Sequence, residues 1–220
     1  MDEYYDKEIL TESYKELVRF VRWINKQYGY HPIIIGGWAV FSYVPGLGSR
    51  DIDIIFPSRE STHRVLLPYY RAAGYKSSGV FTKEFYKEVK TSRGIERIYL
   101  DACSLADKNI LHENADVEIP WELGMKHSKE WKIQDVVARV PLLEVLLLYK
   151  VKALADRRYD LRRGAEFSPL QRAYINSKIW KDEQDIKVLM TCEIKKDFLQ
   201  SLLDATNFKP YFEKEIKGFV

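Results

Sequence analysis

The sequence predicts an α+β chain, with a small mixed β-sheet and flanking helices in residues 1–140 and an all-helical part in residues 141–220. Three observations lead there. Pro32 to Phe56 reads as strand, glycine pair, short apolar helix, tight turn and second strand. Further short strand-like runs, among them Glu96 to Leu105, all fall before residue 140. From Pro141 to Asp156 the chain is apolar nearly all round a helix, the mark of a central bundle helix, and the segments after it carry helical patterns. A ligand is expected in the cleft between the two parts.

The elements follow in order. Ser13-Tyr-Lys-Glu16 has the form of a capping box, and Tyr14, Leu17, Val21, Ile24 and Tyr28 recur at helical spacing, so a helix is expected to end at Gly29. Strand Ile33–Ile35, the pair Gly36-Gly37, helix Trp38–Val44, a Pro-Gly-Leu-Gly turn and strand Asp51–Phe56 come next. Ser58 to Gly74 is a helix with an apolar face, and Pro68 within it predicts a kink or a break. Short strands are expected from Lys76 to Val89, with a turn at Ser77-Ser78-Gly79. The Thr91–Gly94 turn leads into the strand Glu96–Leu105. Glu113 to Lys132 reads as irregular, with Trp121, His127 and Trp131 as core aromatics or as a base-stacking surface. A last strand is expected over Lys132–Arg139. Beyond the Pro141 helix, Asp182 to Val220 reads as further helices.

At 220 residues the chain suffices for one large domain or two small ones, and 46% apolar and 14% aromatic content supports a core. The net charge of +3 is uneven: residues 141–220 hold 15 Lys and Arg against 12 Asp and Glu, residues 1–140 hold 20 against 20. That permits a nucleotide or nucleic-acid partner without demanding one. Cys103 and Cys192 have no zinc spacing, and the four histidines are scattered. The acidic N-terminus is unlike a signal peptide. The longest apolar run, Val140 to Tyr149, is interrupted by Glu144 and too short to span a membrane. A soluble cytoplasmic protein with no membrane partner is expected.

The chemistry concentrates in Pro32–Phe56. Asp51 and Asp53, one residue apart on a strand, point to the same face. Adjacent carboxylates repel unless a cation sits between them, and Mg²⁺ favours such oxygen ligands together with substrate phosphates. Gly36 and Gly37 allow close backbone approach to a phosphate at a helix N-terminus. In Ile98-Tyr-Leu-Asp101-Ala-Cys103, Asp101 is an acid among apolar neighbours, costly unless paired or bound to metal. Asp116-Val-Glu118 repeats the carboxylate spacing without an upstream glycine pair.

Gly36-Gly37, a spacer of thirteen residues and Asp51-Ile-Asp53-Ile together resemble the signature of the nucleotidyltransferase superfamily. The wording Gly-Gly-Trp-Ala-Val and Arg-Asp-Ile-Asp-Ile is most similar to the aminoglycoside nucleotidyltransferases and the AbiEii-type nucleotidyltransferase toxins. The resemblance implies the DNA polymerase beta-like fold and transfer of a nucleoside monophosphate from an NTP, ATP included, to an acceptor hydroxyl. It implies two Mg²⁺ ions, with Mn²⁺ as alternative, held by Asp51, Asp53 and Asp101. Asp101, with Glu96 as fallback, would orient or deprotonate the nucleophile. Ser49 and Arg50 join Gly36 and Gly37 as nucleotide-binding candidates, Arg50 being alternatively a solvent-facing turn residue. The toxins carry Leu-Lys-x-x-Ala-x-x-x-Arg and then Lys-Asp-x-x-Asp. By position these match Tyr149-Lys150 to Arg158 and Lys181-Asp182 to Asp185, implying active-site roles for Lys150 and Asp182, with Lys152 as the alternative register. Tyr159 to Trp180 stands as a long insert between them. The implied acceptor is a tRNA 3′ end, with a cognate antitoxin as partner; the alternatives are a small aminoglycoside-like molecule, a protein side chain, or a degenerate member that binds without turnover.

Overall fold

The computed structural model describes residues 6–46, 48–77, 85–164 and 166–219. Helix α1 (Lys7–Tyr28) begins at Asp6, whose carboxylate accepts from the Glu8 amide at 2.8 Å, and ends at Gly29 as expected. Its start lies a full two turns before the expected capping box. Ser13 is instead a buried mid-helix residue whose hydroxyl accepts from Trp38 Nε1 at 3.1 Å.

Strand β1 (Ile33–Ile35) runs directly into the short helix α2 (Gly36–Phe41), and β2 (Ile52–Phe56) returns antiparallel to β1. Leu47, in the turn between them, lies outside the described residues. Helix α3 (Arg59–Ala73) starts at a Ser58–Ser61 capping box and runs unbroken through Pro68. The expected break does not occur. Proline removes the amide that would have bonded the Arg64 carbonyl, and the Tyr28 hydroxyl donates to that carbonyl at 3.2 Å. Pro68 itself faces solvent.

Strands β3 (Lys76–Ser77) and β4 (Phe85–Thr91) are antiparallel, and the turn expected around Ser78-Gly79 lies outside the described residues. The Thr91–Gly94 turn leads into β5 (Gly94–Ser104), which pairs antiparallel with β4 and parallel with β2. Glu113–Lys132 proves regular. A separate two-stranded ribbon, β6 (Ile110–Leu111) with β7 (Asn114–Glu118), is followed by α4 (Glu122–Lys126) and β8 (Ser128–Ile133). The single strand expected over Lys132–Arg139 is a hairpin of β8 with β9 (Val136–Pro141), turning at Gln134, whose φ is 53°. A turn made by glutamine in the left-handed region carries no glycine to mark it. Trp121 and His127 pack on Tyr149 and Phe198, at 5.1 Å in each case, which is core packing.

The main sheet has the order β3-β4-β5-β2-β1-β9-β8, with β1 parallel to β9. The sheet is mixed, as expected. Asn25 of α1 braces it: its amide accepts from the Val137 amide at 3.0 Å and donates to the carbonyls of Val137 at 2.9 Å and Tyr30 at 2.8 Å. Between α1 and α3, Phe20 and Trp23 pack on Tyr69 at 4.9 and 5.2 Å. Tyr69 donates at 2.6 Å to the buried Glu16, which also receives Lys87 at 2.8 Å.

Four helices follow the sheet: α5 (Leu143–Arg163), α6 (Pro169–Leu189), α7 (Lys196–Ala205) and α8 (Lys209–Ile216). Helix α5 is buried around most of its circumference over its first half, as its composition predicts. The long insert is no separate structure. It is the end of α5, a short link and the first half of α6, opened by a Ser168–Gln171 capping box with Pro169 in the first turn. Among the described residues, no helix is long and apolar enough to cross a membrane.

Candidate active site

The central strands bring the carboxylates together. Asp53 on β2 is in register with Ile35 on one side and with Asp101 on the parallel strand β5 on the other. Asp51 lies one residue ahead of β2 rather than within it, yet lines the same cleft as Asp53 and Asp101. At Gly36 the chain turns from β1 into α2 with φ +67°, and a Cβ there would stand 2.1 Å from Asp53 Oδ2. The glycine is thus required twice, for its backbone and for the room it leaves the carboxylate. A Cβ is present at no cost on neither glycine of the pair: at Gly37 it would meet Ser49 Cβ at 2.9 Å.

Helices α5 and α6 supply the opposite wall. Lys150 reaches Asp182 at 3.1 Å and Asp185 at 2.7 Å. Arg157 also bonds Asp182, and Lys181 bonds Asp185. Lys178 crosses the cleft to Asp51 Oδ2 at 2.5 Å. Together with Gly37, Ser49 and Tyr174, these residues enclose about 260 Å³. Four cations and five carboxylates line it.

Burial raises the Asp53 carboxyl above the ordinary carboxylate value, and the charge of Asp51 raises it further, against the lowering pull of Lys178, Lys150 and Arg157. Burial acts oppositely on Lys181, bringing it down to about 8 despite Asp185.

Of the residues expected from the sequence, Asp51, Asp53, Asp101, Lys150, Asp182, Gly37 and Ser49 line the cleft. Lys152, the alternative register, pairs with Asp156 at 2.6 Å, and Asp156 does not line it. Arg50 points elsewhere: its guanidinium bonds the Arg97 carbonyl at 2.7 Å and Glu96 at 3.0 Å, which occupies the fallback acid as well. Neither lines the cleft. Asp101 is exposed, so the burial cost expected of it does not arise. The Asp116–Glu118 segment belongs to the separate ribbon. Lys178 and Tyr174 also line the cleft, with no motif in the sequence to mark them. Their signal is helical: Tyr174, Lys178, Lys181 or Asp182, and Asp185 recur every three or four residues along one face of α6.

Asp51 and Asp53 suit Mg²⁺, which binds through one or two carboxylates and substrate phosphates. A divalent ion there would offset both the burial of the Asp53 carboxylate and the charge of Asp51 beside it. Among the described residues, no group of three His, Cys, Asp or Glu side chains stands ready to hold a metal ion, so Asp101 does not close a cluster with Asp51 and Asp53.

No family model matches the chain, and no curated protein matches it. Solved structures do. An antigenic nucleotidyltransferase-like protein from Paracoccidioides brasiliensis aligns over 92% of this chain and 93% of its own, with 12% identity and a TM-score of 0.51. The antibiotic-resistance factor ANT(2'')-Ia in solution aligns over 92% of this chain and 98% of its own, at 14% identity and a TM-score of 0.43. A crystal structure of ANT(2'')-Ia in complex with adenylyl-2''-tobramycin gives 90% and 98%, 15% identity and a TM-score of 0.48. The chain has a nucleotidyltransferase-like fold.

Proposed function

We propose that the chain is a nucleotidyltransferase, moving a nucleoside monophosphate from an NTP to an acceptor hydroxyl. The observation that carries this reading is one cleft that sets Asp51, Asp53 and Asp101 of the sheet side against the cations Lys150, Arg157, Lys178 and Lys181 of α5 and α6, three of which are ion-paired with Asp182 and Asp185. The first suits a divalent ion and a nucleophile, the second a triphosphate. The fold is consistent with it.

In the reaction, the acceptor oxygen attacks the α-phosphorus. The bond from that phosphorus to the bridging oxygen of pyrophosphate breaks, and the electron pair leaves with pyrophosphate. The hydroxyl proton passes to Asp101, which lies in register with Asp53 on the neighbouring strand. Lys150 and Lys181 neutralise the departing pyrophosphate, and the Gly37 and Ser49 end receives phosphate oxygens. Mg²⁺ held by Asp51 and Asp53 would supply charge neutralisation at the α-phosphate.

A tRNA 3′ end as acceptor, and an antitoxin partner, rest on the sequence resemblance alone. The test is incubation with Mg²⁺, each α-³²P-labelled NTP and total RNA, alongside the Asp51→Asn, Asp53→Asn double variant. Metal-dependent labelling or pyrophosphate release that the double variant lacks supports the reading. NTP binding that is unchanged by metal and by the double substitution overturns it.

A further inference from the structure

Helix α6 runs from the rim of the cleft to its floor, and it carries an aromatic side chain at the rim. Tyr174 lines the cleft and is 48% exposed. Lys178, one turn further on, is half-buried, and Lys181 and Asp185 beyond it are buried. At a helical rise of about 1.5 Å per residue, Tyr174 stands about 6 Å along the axis from Lys178 and about 10 Å from Lys181. The same helix thus presents a ring to solvent at one end of the cleft and an ammonium to its interior at the other.

Lys178 joins this ring to the carboxylates. Its ammonium lies 5.4 Å from the centroid of the Tyr174 ring, a cation–π distance, and 2.5 Å from Asp51 Oδ2. The ring centroid therefore stands no farther from that oxygen than the two distances together. A nucleoside triphosphate has its parts in the same order as the cleft. With pyrophosphate at Lys150 and Lys181 and the α-phosphate at Asp51 and Asp53, the ribose and base extend past Lys178 toward the rim. Trp121, His127 and Trp131 do not line the cleft.

We propose that Tyr174 is the base-binding residue of the cleft: the nucleobase of the NTP stacks on its ring at the rim, and the ribose lies between that ring and the α-phosphate. The assignment rests on the nucleotidyl-transfer reading, which puts the triphosphate among the lysines of α5 and α6. Every base has an aromatic face, so this contact retains a nucleotide without choosing among the four bases. The stack needs the ring of Tyr174 and not its hydroxyl.

The test is calorimetric titration of the full chain with Mg-ATP and, separately, with Mg-tripolyphosphate, which has the phosphates without ribose or base. Tyr174→Ala is expected to weaken Mg-ATP about tenfold, within the range that removing an aromatic platform costs a stacked base. The same variant is expected to bind Mg-tripolyphosphate unchanged, which also shows that it is folded. Tyr174→Phe is expected to bind both ligands as the unsubstituted chain does. Unchanged Mg-ATP affinity in Tyr174→Ala, an equal loss for both ligands, or a loss in Tyr174→Phe as large as in Tyr174→Ala would overturn the stack and leave the triphosphate site standing. Failure of the unsubstituted chain to bind either ligand would overturn the nucleotidyl-transfer reading, and the stack with it.

Discussion

Gly36 and Asp53 share one space: the carboxylate of Asp53 fills the volume that any side chain at Gly36 would need. Gly36→Ala should therefore lose on two counts. The left-handed backbone alone costs about 1–2 kcal/mol for a residue with a Cβ, and the clash must be relieved by moving Asp53. The expected result is a lower unfolding midpoint together with Mg-NTP affinity reduced more than tenfold. Thermal unfolding and calorimetric titration check both.

Asp53 should make stability fall with rising pH. Its folded-state carboxyl is raised above the ordinary 3.8 by burial and then by Asp51. Its contribution is therefore full below 3.8 and is lost as pH rises through the folded value. Asp53→Asn should flatten that part of the urea-unfolding profile and leave the protein at least as stable at pH 7, while abolishing metal-dependent transfer. A large stability loss at neutral pH would contradict this assignment.

Lys181 should give nucleotide binding a basic limb. Burial brings its ammonium down to about 8 from 10.5, so its charge is lost on the folded protein before the unfolded one. Its contribution to stability then rises between about 8 and 10.5, because the unfolded chain binds the extra proton there. Triphosphate affinity should move the other way, falling severalfold from pH 7 to 9. Lys181→Met should bind weakly at both pH values, with that slope removed.

Lys178→Met separates metal from nucleotide. Lys178 holds Asp51 at 2.5 Å, so its removal should raise Mn²⁺ affinity severalfold in the absence of nucleotide and lower the transfer rate by about 10²-fold, a loss typical of a missing electrostatic group. Paramagnetic relaxation of water protons and single-turnover kinetics read the two effects.

Pro68→Ala should stabilise. It restores an amide to α3 and removes a helix-interior proline whose cost is about 3 kcal/mol when nothing offsets it. Because Tyr28 already serves the Arg64 carbonyl, a gain of about 1 kcal/mol is expected, with no change in nucleotide affinity. Chemical denaturation measures it.

What could be read in advance follows from how locally each feature is encoded. Gly36, Gly37, Asp51 and Asp53 lie within one strand–turn–strand, where side-chain alternation and glycine chemistry suffice. Asp101 is legible as a strand acid, but its exposure is set by the folded sheet and not by its apolar sequence neighbours. Lys150 and Asp182 follow from resemblance, and they lie 3.1 Å apart. Lys178 reaches Asp51 across 127 positions of sequence, a meeting that depends on how α6 lies over β2 and that helical spacing alone cannot announce. Arg50 lies away from the cleft for a related reason. Adjacency to Asp51 suggests the cleft, whereas the register of β5 offers Glu96 and the Arg97 carbonyl on the other side. The β8–β9 turn carries no local mark, because glutamine occupies its left-handed position.

The braces between Asn25 and Val137, and the pairing of Ile33 with Arg139, tie the start of the sheet to residues made more than a hundred positions later. During synthesis, strand β1 leaves the ribosome long before its parallel neighbour exists, and contacts of such wide sequence separation form slowly. Asp51 and Asp53 are made earlier still than the α6 lysine that balances them. The order of translation thus delivers the acidic half of the cleft first and its counter-charges last, so a truncated or stalled chain would carry the carboxylates without the partners that allow a triphosphate near them.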